Sequence, residues 1–179
     1  VLAGNRDEFH QRPAAPADWW PARPDVLAGR DLAAGGTWLG VSRSGRAAVV
    51  TNFREAPRAE PSRRSRGELV PAFLESGAAP AAWSDTVDDG QYGGFNLLLF
   101  AGGQGHYLSN RGERDSRLEP GSHGLSNHRL DTPWPKLVTA RERFASSLGD
   151  GAVSFDELFG LLSDRQQPPA EKLPRTGVP

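Results

Sequence analysis

Cysteine, methionine and isoleucine are absent from this 179-residue chain, and lysine occurs twice against 19 arginines. Without cysteine there is no disulfide, no thiolate zinc or iron–sulfur ligand, and no cysteine nucleophile. The missing methionine, with Val1 opening an apolar segment, leads to the expectation of a trimmed chain or a fragment. An excess of one charge is lacking too: 21 basic against 22 acidic residues leave a net charge of −1. That balance argues against a broad nucleic-acid footprint and against a polybasic membrane anchor. Arginine abundance beside plentiful Ala, Gly and Pro reads as GC-rich codon bias. No stretch approaches the ~18 apolar residues of a membrane span, and no signal segment opens the chain. A cytoplasmic location is therefore expected. The length suits one domain able to bury roughly 70% of its unfolded surface.

Along the chain, Val1–Gly4 reads as the end of a strand running into the polar Asn5-Arg6-Asp7-Glu8. Pro13 to Pro24, with four prolines and Trp19-Trp20, reads as an extended loop. Two β-like segments, 37–42 and 47–53, flank Arg43-Ser44-Gly45-Arg46 and predict a hairpin. Arg54 to Arg66 reads as an exposed loop. Leu69, Val70, Phe73 and Leu74 share a helical face, with Pro71 tolerated in the first turn and Gly77 as the stop. A short helix is expected from Ala79 to Val87, then an apolar strand at 95–101 and a Gly102–Gly105 turn that leads into His106-Tyr107-Leu108-Ser109-Asn110. Arg111 to Ser122 reads as a loop leading to a short strand over Gly124–Asn127. Pro133-Trp134-Pro135 starts a helix with Gly149 as its stop, and Ser154-Phe155-Asp156-Glu157 is a capping-box arrangement ahead of another. Strands followed by paired helices predict an α+β domain over 1–164, with a Pro-rich tail over 165–179 that lacks packed structure.

Standard chemical motifs are mostly missing: there is no phosphate loop, nucleophile elbow or HExxH, and Gly103-Gln104-Gly105 lacks a third glycine. His123 and His128 lie five apart, and a shared metal there would be fortuitous; a Ser126–His128 nucleophile pair lacks an orienting acid. No metal site is expected. The run from Asn5 to Glu8 has two readings. It is either a turn in which Arg6 pairs with Asp7 or Glu8, or a polar cluster in which Asn5 donates to an oxyanion and Arg6 and Asp7 position a bound group. Asn52, Asn96 and Asn127 sit in or beside β segments, where asparagine is disfavoured, and so need hydrogen-bond partners. Those partners are the backbone at strand ends, or else the three amides line one cleft.

These residues resemble a known family. Ala3–Phe9, Arg12-Pro13, Gly35–Gly40, Thr51-Asn52-Phe53, Arg66–Val70, Gly94–Leu97, Asn110-Arg111-Gly112, Gly124–Asn127 and Thr132-Pro133-Trp134 occur in the order seen in the NRDE family, also called the Transport and Golgi organization protein family. The resemblance implies an N-terminal-nucleophile-hydrolase-like fold, a four-layer αββα sandwich of antiparallel sheets. It also implies a Met-Cys start upstream of Val1, with that cysteine in the nucleophile position, and further strands beyond Pro179. The fragment is thus expected to be incomplete at both termini and to contain no catalytic residue.

Three functions follow from the resemblance. The first is binding and transfer of haem, or of a related acyl or coenzyme-like ligand, with no cofactor required. The ligand would lie in a cleft bounded by Asn5, Arg6, Asp7, Glu8, Arg12, Trp38, Asn52, Asn96 and Asn127. The tryptophans Trp19, Trp20, Trp38 and Trp134 are candidates to pack on a flat ligand, and Arg6 or Arg12 to pair with its carboxylates. No histidine stands out as an axial iron ligand. The second is a cysteine amidohydrolase assisted by the same polar set. The third is a secretory-pathway organising or interaction protein. The expected partner is a small molecule, with no nucleic acid and no transmembrane segment; the oligomeric state stays open.

Overall fold

The computed structural model describes residues 1–54, 64–112, 115–148, 153–166 and 169. Seven strands form one sheet: β1 Ala14–Trp20, β2 Arg23–Asp31, β3 Leu39–Ser42, β4 Ala47–Asn52, β5 Phe95–Ala101, β6 Gln104–Ser109 and β7 Asp115–Leu118. They pair in chain order, and every neighbour is antiparallel. Among the described residues four α-helices accompany them: α1 Leu69–Glu75, α2 Pro80–Ser84, α3 Pro135–Ser147 and α4 Phe155–Leu162. The architecture is α+β, as expected, built on an open sheet. A second sheet is not among the described residues.

Strand alternation sorts side chains between two faces. One face carries Val26, Ala28, Ala48, Val50, Leu97, Leu99 and Leu108, all buried. Leu69, Val70, Phe73 and Leu74 of α1 and Trp83 of α2 join them in one core, where Phe73 and Trp83 meet edge-on at 5.3 Å. Gly40 is what lets α1 sit so close, since a Cβ there would lie 3.0 Å from Leu74. Gly36 allows a tighter approach still: a Cβ would come within 2.4 Å of the Gly67 backbone, which accepts from the Thr37 amide at 2.9 Å.

The other face can be followed straight across the sheet. Its register runs Trp19, Leu27, Val41, Ala47, Phe100, Gly105, Leu118, one residue from each strand and none of them polar. The next row, Leu39, Val49, Leu98, Tyr107, Ser116, is apolar up to β6 and turns polar at β7, and the third, Thr51, Asn96, Ser109, is polar. Leu39 and Val41 remain 39% exposed. A solvent-facing antiparallel sheet ordinarily turns polar residues outward, so this apolar face is open where its composition calls for a cover.

Four expectations need correction. Val1–Gly4 forms no strand. The Pro13–Pro24 stretch is the β1–β2 hairpin rather than a loop, because β1 is an edge strand and Pro16 falls inside an irregular step between Ala15 and Asp18. There a missing N–H costs no ladder bond. The 111–122 loop contains β7, and Gly124–Asn127 is a loop rather than a strand. Its Gly124 amide is taken at 2.8 Å by the Asp131 carboxylate instead of by a neighbouring strand. The β3–β4 hairpin, with Gly45 at φ +76°, and helices α1, α3 and α4 form where expected; the second helix is confined to 80–84. Ser154 caps α4 by accepting from the Glu157 amide at 3.3 Å. Most of the Arg54–Arg66 and Arg165–Pro179 segments lies outside the described residues.

Candidate functional site

The sheet register gathers most of the singled-out residues at one end. Leu39 pairs with Val49, so Trp38 lies opposite Val50, whose amide donates to the Trp38 carbonyl at 2.8 Å. Asp31, Thr51, Asn52 and Asn96 end their strands at the same edge. Two clusters occupy it.

On the β2–β3 side, the Arg6 guanidinium lies 3.9 Å above the Trp38 ring, and its Glu8 contact is long at 3.9 Å. Stacking of this kind leaves the N–H edge of the guanidinium free to meet an anion. Arg12 is committed elsewhere: its Nη2 and Nε donate to Asp31 Oδ2 at 2.6 and 3.0 Å, with Glu8 at 3.5 Å. Asp31 also accepts from the amides of Ala33 and Ala34 at 3.0 and 3.3 Å. Burial pushes the Asp31 carboxyl up, but the Arg12 bond and the two amides outweigh it and hold it below the usual range. Asn5 turns away and donates to the Leu162 carbonyl at the end of α4 at 2.8 Å. Asp7 is exposed and has no polar partner among the described residues.

On the β4–β6 side, Asn96 is fully buried and satisfied. It accepts from the Tyr107 hydroxyl at 2.7 Å and donates to the His128 carbonyl at 2.9 Å and to Thr51 Oγ1 at 3.3 Å. Asn127 donates to the Asn52 carbonyl at 3.0 Å, and the Arg54 amide donates to the Asn127 carbonyl at 2.7 Å. These amides fasten the 124–132 loop over the polar row of the sheet. Asn96 and Asn127 thus spend their amide N–H groups on backbone carbonyls in holding the loop, and Asn52 joins through its own carbonyl.

That loop also holds a residue the sequence did not single out for this site. The His128 ring packs against Phe53 and Trp134, with centroids at 5.0 and 5.3 Å, and its Nδ1 lies 2.9 Å from Thr132 Oγ1. Thr132 spends its one hydroxyl proton on the Arg129 carbonyl at 2.7 Å, so it can only accept from the ring. Nδ1 therefore carries the proton. When the ring is neutral, Nε2 holds a lone pair that no described residue occupies. Only the His-x-x-x-Thr spacing from His128 to Thr132 hints at this in the sequence. Among the described residues no group of three or more His, Asp or Glu is arranged to hold a metal ion, and no helix is long and apolar enough to cross a membrane.

Fold and site together define an α+β domain with an antiparallel sheet, one of whose apolar faces is left open, and a polar, arginine-bordered end. The family model "Transport and Golgi organisation 2" matches residues 1–179. The Transport and Golgi organization protein 2 homolog of Bos taurus is 42% identical over 162 residues, 84% of this chain and 58% of the relative. The homolog of Mus musculus is 41% identical over 176 residues, and that of Homo sapiens 39% over 176, each covering 92% of this chain and 63% of the relative. The chain belongs to this family, and it spans about three fifths of the length of these relatives.

Proposed function

We propose that the domain holds haem, or a related acyl or coenzyme-like acid, at the Trp38 end of the sheet, for transfer rather than for chemistry. The observation that carries this reading is the Arg6 guanidinium laid on Trp38 with its nearest carboxylate contact at 3.9 Å. A flat apolar ring with an adjacent under-used cation is suited to a planar molecule bearing acid groups. The fixed tautomer of His128 adds an unshared pair at the same end, compatible with weak and exchangeable iron ligation. Of the expected site residues, Arg6 and Trp38 touch the ligand in this reading; Arg12, Asn96 and Asn127 position the surface.

The finer fold, an N-terminal-nucleophile-hydrolase-like sandwich, belongs to the same proposal. The apolar row that crosses all seven strands supports it, because a second sheet is the cover such a face fits. A cytoplasmic place of work is likewise part of the reading, checked by fractionation of the full-length protein. The hydrolase reading draws no support from Asn96 and Asn127, whose amides are already bonded. An organising role has one feature in its favour, the exposed Phe155 and Phe159 one turn apart on α4.

The test is a haemin titration of the full-length protein, following the Soret band. Arg6→Ala and Trp38→Ala are each expected to weaken binding by about tenfold, the equivalent of ~1.4 kcal/mol. Unchanged affinity in both variants overturns the assignment of the site. Amine release from a panel of amides by the full-length protein would overturn the carrier reading itself.

A further inference from the structure

The loop that caps the candidate site is tied down at its base by a second histidine. His123 Nδ1 lies 2.7 Å from Asp131 Oδ2, and its Nε2 lies 2.8 Å from the Glu119 carbonyl. A carbonyl oxygen and a carboxylate only accept, so both ring nitrogens must donate, which requires the imidazolium form. A neutral ring would turn a lone pair toward one of these oxygens. With both nitrogens engaged the ring is also no catalytic base, in spite of its carboxylate partner.

Asp131 is the hub. Its Oδ1 accepts from the Gly124 amide at 2.8 Å and from Arg141 Nη1 of α3 at 3.1 Å, and its own amide donates to the Gly124 carbonyl at 2.8 Å. It holds φ +54°, a left-handed conformation that needs such support in a residue other than glycine. These bonds close the 124–131 loop at its neck. Within that loop lie the Ser126 and His128 carbonyls, which accept from Thr51 and Asn96, and the Asn127 amide, which donates to Asn52.

We propose that His123 is a proton-operated clasp: protonated, it locks the 119–131 segment through Asp131 onto α3, and deprotonated, it loosens the loop that caps the Trp38 end of the sheet. The charged groups facing it are Asp131 from the turn and Arg141 from α3, with Glu119 present through its carbonyl. The Glu119 and Asp131 bonds raise the His123 pKa, against burial and the Arg141 charge. A raised folded value stabilises the closed loop fully below the ordinary histidine range and loses that stability as pH rises through it. At the acid end the clasp persists until Asp131 is protonated, below the usual carboxylate range. Burial pushes Asp131 up, and bonds from Gly124, His123 and Arg141 more than offset it. The consequence for ligand release rests on the carrier reading; the clasp itself does not.

Amide hydrogen exchange of the full chain, corrected for intrinsic rates, tests the clasp without any ligand. Protection of amides 124–131 is expected to fall roughly threefold or more between pH 6 and pH 8.5 while β5 amides hold steady. His123→Gln and Asp131→Asn should each erase the difference, and NMR titration should place the wild-type ring above the ordinary histidine value. Loop protection that ignores pH, or a ring titrating at or below that value, overturns the clasp whether or not haemin binds. If the loop loosens with pH and haemin dissociation does not follow, the clasp stands and the placement of the carrier site fails.

Discussion

The two faces of the sheet are built from the same alternating apolar residues and end in different states. On one, Leu97, Leu99 and Leu108 are wholly removed from water in the core that α1 and α2 close; on the other, Leu39 and Val41 of the same sheet stay more than a third exposed. Composition does not separate them. What separates them is that the Leu69–Leu74 stripe of α1 is packed on one face, while Leu39 and Val41 on the other stay exposed. A strand's alternation declares that a face is apolar, and only the neighbouring elements decide whether it serves stability or remains available.

The largest test of this contrast is a pair of truncations. Phe73→Ala empties the centre of the covered face, where the ring is fully buried against Trp83, and is expected to cost ~3–5 kcal/mol in urea unfolding. Val41→Ala on the open face should cost less than about 1 kcal/mol, since the side chain already meets water. Equal losses would mean that the open face is covered in solution by another copy or by chain outside the described residues.

A middle-sized effect is expected where the open face turns polar. Asn96→Ala removes the acceptor of the buried Tyr107 hydroxyl and the donor to the His128 carbonyl, and should cost ~1–3 kcal/mol. The same variant should speed exchange of the 126–128 amides more than those of α1, which separates loss of the loop's anchor from general weakening. A uniform rise in exchange across both would break the assignment of Asn96 to the loop.

Much of this was legible. An asparagine inside the apolar run of β5 announced a buried partner, and Tyr107 with the 124–132 loop supplied it. Helices with a cap or an initiating proline, such as α3 and α4, were placed by local chemistry alone. The β1–β2 hairpin is hidden because proline density reads as loop, whereas an edge strand with bulges tolerates it. The Gly124–Asn127 segment failed as a strand for the opposite reason: its bonds go to one side chain, Asp131, which no local pattern reveals. Within the candidate site, the polar Asn5–Glu8 run gave notice of partners, but its members separate: Asn5 goes to α4, Arg6 to Trp38 and Glu8 to Arg12. Such choices are made between residues distant in sequence, and so is the proton position on His128.

The smallest expected effect concerns the Arg12–Asp31 pair at the rim of the site. It is partly exposed, so Arg12→Ala should cost no more than ~1 kcal/mol near neutral pH, and less in high salt. Its pH dependence is the sharper readout. Asp31 sits below the usual carboxylate range in the fold, so its stabilisation is present above the unfolded carboxyl value and disappears as pH falls through the folded one. The gap between wild type and Arg12→Ala should therefore close on acidification below the ordinary Asp range, and should not change between pH 6 and pH 8.5. That is the interval in which His123 opens its clasp, so in denaturant melts the difference between wild type and His123→Gln should shrink as pH rises through it, while the Arg12→Ala difference stays constant. If the Arg12→Ala difference shrinks over the same interval, the rim pair and the loop clasp are one coupled unit, and the two halves of the sheet's polar end are not independent.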